Sequence, residues 1–390
     1  MKTLLDTYSR KLEERGLARR EDISFAALET DVTWNRPDPE RELEKIFAGM
    51  SITTLLSARP AEPYRTMLDS LVRSQHHPLQ ARDTETRTFL HDIPVASSAD
   101  SKTLLPFLRR RKGVIAPGPR LVTTGTVTPE QAFIVFSSMI HSCFVLYCLG
   151  YLDRRRKKAF SRKEEQEFEF IMERLPPPPA LGPPLARGPF ADEETVIAAV
   201  VEAGKRTVAA GLVDSYFGNV SCFHNGTIYI SQTGSSLEEL ESAIDACPMD
   251  QSSCAGITAS SELSAHRRIY TETNLRTVLH GHPRFAVILS LDCPERLHCP
   301  DAHRCHTHCR RERSVAGVPI VSGEVGTGPF GLDRTMPPAV ARAGATIVYG
   351  HGVFCAGRTD FNVSFRRLLE VENTCRAEFL QRARNPSFRN

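Results

Sequence analysis

Leu279-His280-Gly281-His282-Pro283 closes a short apolar strand, and its reading decides how the C-terminal half of the chain is understood. Alternate residues of a strand point to the same side, so a His-x-His pair there aims two imidazoles at one point, where they grip a single ion. The competing reading, two ordinary core or surface histidines, loses ground to a third histidine. His351 is also flanked by glycines, in Tyr349-Gly350-His351-Gly352-Val353, and it too follows a predicted strand. Three imidazoles with one open position are the donor set of catalytic zinc.

Working outward, Ser260-Ser261-Glu262 opens a predicted helix, where hydroxyls and unpaired backbone N–H groups favour an anion and a glutamate projects toward the metal. A plain capped helix would look the same. Phe217-Gly218-Asn219-Val220-Ser221 and Gln232-Thr233-Gly234-Ser235-Ser236 offer small residues and amides suited to phosphate, as any tight turn would. Thr227-Ile-Tyr-Ile230 and Val318-Pro-Ile-Val321 read as strands, and Ala345-Thr-Ile-Val-Tyr349 reads as a strand entering a turn. Helical periodicity covers residues 192–210, 261–273 and 361–381, with Gly211 placed to stop the first. The expectation is a mixed α/β domain with helices on both faces of its sheet.

Taken in order and spacing, the segments Phe217-Gly-Asn-Val-Ser221, Ile230-Ser-Gln-Thr-Gly234, Ser260-Ser-Glu262, His280-Gly-His-Pro283 and Tyr349-Gly-His-Gly-Val353 resemble the class II aldolase and adducin-head family over residues 190–385. The resemblance implies an α/β/α sandwich with a central mixed or antiparallel sheet. It further implies zinc on His280, His282 and His351, with Glu262 as the acid/base. Gly218, Asn219, Thr233, Gly234, Ser260 and Ser261 would then hold a substrate phosphate. The activity it implies is a zinc-dependent lyase that breaks or forms a carbon–carbon bond in a small phosphorylated sugar or sugar acid. Metal-dependent epimerases, dehydratases and decarboxylases share the scaffold, and a non-catalytic adducin-like interaction module is the reading of another class. Glutamate at 262, where epimerases of the family carry aspartate, favours aldolase chemistry over epimerisation. The family's active sites lie between subunits, so a homo-oligomer with inter-domain or inter-subunit sites is expected.

One segment departs from that family. Residues 293–309 hold Cys293, Cys299, Cys305 and Cys309 with four histidines between them, which suggests a second, structural zinc, against a reduced and flexible insertion.

The run Leu175-Pro-Pro-Pro-Pro-Ala-Leu-Gly-Pro-Pro forbids helix and reads as a linker over 175–190, between a domain at 1–174 and the catalytic domain at 191–390. The first half repeats the second in worn form. Residues 46–60 align without gaps on 269–283, Ile93-Pro-Val95 on Val318-Pro-Ile320, and 115–133 on 347–365. Ser57, Arg59 and Pro119 then stand where His280, His282 and His351 stand. The expectation is a degenerate, catalytically silent copy of the same fold, lacking the glycine-rich loops because too few residues precede Ile46.

Composition limits the remaining classes. With 41% hydrophobic and 24% charged residues and a formal net charge of +3, the chain reads as globular with no nucleic-acid partner. The basic runs at 109–112 and 154–158 read as solvated helix ends. The apolar run 132–152 reads as a packed core helix and not a membrane span, and eleven cysteines without a secretory leader point to a reducing, cytoplasmic setting.

Overall fold

The computed structural model describes residues 1–37, 40–74, 77–214 and 216–385. The chain divides into two units, Met1–Pro176 and Pro177–Asn390.

The C-terminal unit begins with α8 (Glu193–Ala209), whose N-terminus is closed by a reciprocal cap between Asp192 and Thr195 and which is followed by Gly211 at φ +66°. Then come β8 (Asn219–His224), β9 (Thr227–Ser231), β10 (Ile244–Pro248), α9 (Leu263–Glu272), β11 (Thr277–Gly281), α10 (Arg284–Leu291), β12 (Arg313–Val315), β13 (Val318–Val321), α11 (Leu332–Ala343), β14 (Ala345–Val348), β15 (Gly352–Gly357) and α12 (Phe361–Arg384). The eight strands lie in the order β10-β9-β8-β11-β15-β14-β13-β12, antiparallel except for β13 beside β14. This is the mixed sheet expected from the sequence, and α12 runs three residues beyond the predicted end at 381.

The central strand β11 is buried along its whole length, so both of its faces need cover. Val278 packs with Phe354, Leu263, Ile269, Leu332, Met336 and Val340 on the side of α9 and α11. On the opposite side α12 lies along β11 and β15 and also meets α8 and α10. His280 is two residues from Val278, so it shares the α9 and α11 side.

The proline-rich segment runs along this unit in extended form. Leu185 and Asn362 exchange hydrogen bonds, Gly188 N donates to Asp360 at 3.1 Å, and Asn373 donates to the Pro179 carbonyl at 3.0 Å. Proline removes backbone donors, and side chains of α12 supply the contacts instead.

The N-terminal unit comprises α1 (Lys2–Glu14), β1 (Ala18–Leu28), β2 (Val32–Trp34), α2 (Lys45–Gly49), β3 (Thr54–Pro60), α3 (Tyr64–Ser74), β4 (Leu79–Gln80), α4 (Thr84–Leu90), β5 (Asp92–Ile93), α5 (Ser101–Arg110), β6 (Gly113–Ala116), β7 (Arg120–Gly125), α6 (Pro129–Arg156) and α7 (Arg162–Arg174). Its main sheet has the order β2-β1-β3-β7-β6, all antiparallel, while β4 and β5 form a separate pair. By length and composition α6 is long and apolar enough to cross a membrane, yet most of its apolar stretch is buried inside the protein. The basic residues at its end are paired rather than merely solvated: Arg154 meets Glu164 at 3.0 Å and Arg155 meets Glu165 at 3.3 Å.

One tertiary contact holds the histidine-bearing strand in place. Glu372 of α12 accepts hydrogen bonds from Phe285 N and Ala286 N, all at 3.0 Å, at the start of α10 directly after His282-Pro283. A carboxylate from a neighbouring helix thus fills the capping role that Pro283 cannot. Burial pushes the Glu372 carboxyl up from 4.5 to about 7, against the pull of those backbone donors. The folded chain therefore holds this proton more tightly than the unfolded one, so the associated stability is full below about 4.5 and is lost as pH rises through about 7. Thermal melts of metal-stripped protein between pH 4.5 and 8.5 should show this decline, and Glu372→Gln should flatten it; parallel pH profiles for the two proteins would remove Glu372 as its source.

Candidate metal centre

The antiparallel register sets His280 opposite Asn219 of β8 on one side and Phe354 of β15 on the other. His282 follows two residues on, just past the end of β11. His351 sits in the turn from β14 to β15. Its N–H bonds back to Val348 O at 3.0 Å, Gly350 takes φ +64°, and Gly350 N donates to Ser290 Oγ of α10 at 2.9 Å. One ring nitrogen from each of the three imidazoles lies within 4.8 Å of the others, and all three residues are buried.

The donor chemistry fits a cation. His280 Nδ1–H donates to Val353 O at 3.1 Å, which fixes the tautomer and turns the Nε2 lone pair inward. That Nε2 faces His282 Nε2 at 2.9 Å. Burial, with the neighbouring imidazoles His351 and His266, holds His280 well below its usual range, so the ring stays neutral and its Nε2 keeps a lone pair toward the other imidazoles. Glu262, buried at the start of α9, brings Oε2 to 3.6 Å from His280 Nε2 and Oε1 to 3.6 Å from His351 Nε2. Asn219 Nδ2 donates to Glu262 Oε2 at 2.5 Å. A β-carbon on Gly352 would lie 2.7 Å from His280 Cε1 and 2.8 Å from His282 Cδ2, so only glycine leaves room for the rings.

A second layer, absent from the sequence reading, backs the first. Phe354 stacks on His280 with ring centres 3.8 Å apart, and His266 meets Phe354 edge-on. His266 Nδ1 lies 2.7 Å from Ser221 Oγ, while the Tyr270 hydroxyl donates to Ser221 O at 3.0 Å. Burial pushes His266 down to about 3, so it stays neutral and its role here is support. The signal was present in Asn219-Val220-Ser221, where polar residues alternate on a buried strand.

Residues 198–379 match the family model described as Class II Aldolase and Adducin N-terminal domain. The C-terminal half belongs to the class II aldolase and adducin family. Over 187 residues this chain is 29% identical to a methylthioribulose-1-phosphate dehydratase of Bradyrhizobium sp. (strain BTAi1 / ATCC BAA-1182), a match spanning 45% of this chain and 85% of that relative. Among solved structures, the L-fuculose-1-phosphate aldolase of Thermus thermophilus is similar at 22% identity and a TM-score of 0.38, covering 48% of this chain and 95% of that one. An L-fuculose 1-phosphate aldolase from Glaciozyma antarctica PI12 is similar at 16% identity and a TM-score of 0.37, covering 53% and 80%.

In this class II aldolase-type domain the other expected residues fall at two corners. Thr233 Oγ1 donates to Ala259 O and accepts from Ser261 N, both at 3.0 Å, so Thr233, Gly234, Ser260 and Ser261 form one partly exposed corner leading to Glu262. Gly218 comes close enough to the His280 carbonyl that a β-carbon would lie 2.5 Å from it, and Asn219 is turned onto Glu262. Cys293, Cys299, Cys305 and Cys309 sit half-buried among short turns. Burial raises the Cys305 thiol, helped by Cys309, Cys299 and Cys293. Among the described residues, only the histidine triad closes to within 4.8 Å as a ligand set.

The centre makes a prediction about a residue that ligates nothing. Gly352→Ala should weaken metal binding by about tenfold or more by displacing two imidazoles, as outer-shell changes do. His280→Ala/His282→Ala should abolish binding at this centre. Elemental analysis and competition with a chromogenic chelator measure both, and wild-type affinity in Gly352→Ala would contradict the packing argument.

Proposed function

We propose that this domain is a zinc-dependent lyase that cleaves or forms a carbon–carbon bond in a small phosphorylated ketose or sugar acid. The observation that carries this reading is the buried Glu262 carboxylate, held by Asn219 within 3.6 Å of two of the three imidazoles. His280, His282 and His351 would hold the zinc, which when bound supplies a Lewis acid for adjacent substrate oxygens. Glu262 moves the proton at the carbon beside the carbonyl, giving it to the enediolate in the cleavage direction and removing it in the condensation direction. Asn219 orients the carboxylate. Thr233, Gly234, Ser260 and Ser261, with Gly218 on the facing loop, would receive the phosphate through backbone N–H and hydroxyl donors.

A second reading is elimination of water from a similar substrate. It is favoured by the name of the Bradyrhizobium relative, a dehydratase. Both reactions require the same proton transfer by Glu262. A purely structural, adducin-like module is disfavoured, since a scaffold without chemistry gains nothing from three converging desolvated imidazoles. Free cysteines throughout the described chain fit a cytoplasmic setting, and a homo-oligomer remains part of this proposal. A second, structural zinc on Cys293, Cys299, Cys305 and Cys309 is a separate proposal: Cys305→Ser/Cys309→Ser should remove one equivalent of zinc while leaving the histidine centre loaded, and unchanged zinc content would end it.

The activity test is a screen of ketose and aldonate phosphates that follows aldehyde release and water loss in parallel. Glu262→Gln should lower kcat by about 10² or more with metal content and melting temperature nearly unchanged. Undiminished turnover in that variant would take the glutamate out of the mechanism.

A further inference from the structure

Strand neighbours in the sheets of the two units correspond in register. Ser57 of β3 pairs with Ser24 and Val122 as His280 of β11 pairs with Asn219 and Phe354. Thr54 pairs with Ala27 and Gly125 as Thr277 pairs with Cys222 and Gly357. Ala26 meets Trp34 as Ser221 meets Ile230. The parallel contact of Val95 with Ile115 repeats that of Ile320 with Ile347.

Side chains repeat as well. Phe25 N donates to Asn35 Oδ1 as Val220 N donates to Ser231 Oγ. Thr54 Oγ1 donates to Thr128 O at the cap of α6, as Thr277 Oγ1 donates to Asp360 O at the cap of α12. The turn glycines Gly118 and Gly350 both have positive φ, at +91° and +64°. A strand register fixes every residue after it, so agreement over three strand pairs, one isolated bridge and two side-chain bonds is far from what two unrelated sheets would give.

At the positions of the metal centre the chemistry has changed in a coordinated way. Ser24 stands for Asn219, Ser57 for His280, Arg59 for His282 and Arg120 for Gly352. Glu40 precedes its helical segment as Glu262 precedes α9. Ser24 Oγ donates to Glu40 Oε1 at 2.9 Å, and Ser57 Oγ donates to Oε2 at 3.1 Å. Arg120 Nη1 reaches both Glu40 Oε1, at 2.6 Å, and Ser57 Oγ, at 3.1 Å. The carboxylate is kept and a guanidinium supplies the positive charge beside it. This exchange is sterically reciprocal: in the C-terminal unit even a β-carbon at 352 collides with two imidazoles, whereas Ser57 leaves the room that Arg120 fills. Arg59 adds a second cation, and its buried Nε has no hydrogen-bond partner among the described residues. A β-carbon on Gly118, two residues before Arg120, would lie 3.8 Å from Arg59 Nη2, so the second guanidinium lies against the turn that leads into Arg120. Arg120 and Glu40 side chains retain 20% and 33% exposure, so solutes reach them.

We propose that the N-terminal unit is a second copy of the class II aldolase-type domain in which the Arg120–Glu40 pair has replaced the metal, leaving a metal-independent site where Arg59 and Arg120 bind a small oxyanion. A buried guanidinium N–H without an acceptor, beside surplus positive charge, is matched by a carboxylate or phosphate oxygen, which guanidinium groups bind through directed, charge-assisted hydrogen bonds.

Two experiments on the full chain test the two parts. Ser57→His/Arg59→His/Pro119→His/Arg120→Gly rebuilds the triad and its glycine, and should raise zinc content by one equivalent over wild type in elemental analysis. A cooperatively melting variant with no added zinc overturns the equivalence of the two sites. Calorimetric titration with inorganic phosphate in the presence of a chelator tests the ligand: Arg59→Met should lose one phosphate site or bind there about tenfold more weakly, while any site in the C-terminal unit persists in both proteins. Identical titrations of Arg59→Met and wild type, or no phosphate binding by wild type, overturn the oxyanion site. This second arm stands even if the rebuilt variant fails to fold, and it needs no catalytic activity from the C-terminal domain.

Discussion

Buried imidazoles that converge on one point, with a carboxylate beside them, are costly unless a cation joins them, and the C-terminal unit is organised around that constraint. His280 has lost its water entirely, and its Nδ1–H is committed to Val353 O, so its remaining lone pair must be satisfied from the shared centre. The sheet order follows from the same need. β11 lies centrally, with Asn219 of β8 on one flank to hold Glu262 and Phe354 of β15 on the other to hold the ring of His280. Without either neighbour the donor set would be present in sequence and loose in space.

Rigidity around the centre comes from contacts distant in sequence. Glu372 of α12 caps α10 immediately after His282, and Ser290 of α10 holds Gly350 immediately before His351. Two of the three histidines, at separate strand ends, are thereby tied to one short helix, whose own N-terminus is tied to α12. Coupling of this kind lets three side chains keep a geometry finer than any one of their backbones would enforce.

The proposed copy in the N-terminal unit carries the side chains of Ser57 and Arg59 on its central strand β3. Arg120 follows Pro119 at the start of β7, and its guanidinium bonds both Glu40 and Ser57. The loops shrink too: Glu40 follows closely on Trp34, whereas β10 and the whole Thr233–Ser261 corner lie between Ile230 and Glu262. The corner proposed to hold substrate phosphate therefore has no counterpart of similar length between Trp34 and Glu40.

The histidine triad, Glu262 and the main strands and helices of the C-terminal unit were legible in the sequence, because each rests on a local pattern: alternation in a strand or a cap before a helix. Ser57 and Arg59 were legible only through their alignment on His280 and His282. Their partners could not be read, since Glu40 and Arg120 reach Ser57 from 17 and 63 residues away. The support of Phe354, His266 and Ser221 behind His280, the capping of α10 by Glu372, and the turn of Asn219 onto Glu262 likewise depend on strand order and helix packing. The sequence determined which donors exist and the faces they occupy, through short-range periodicity; the tertiary structure decided which donors meet, because hydrogen bonds and ring contacts act over a few ångströms between segments that only folding brings together.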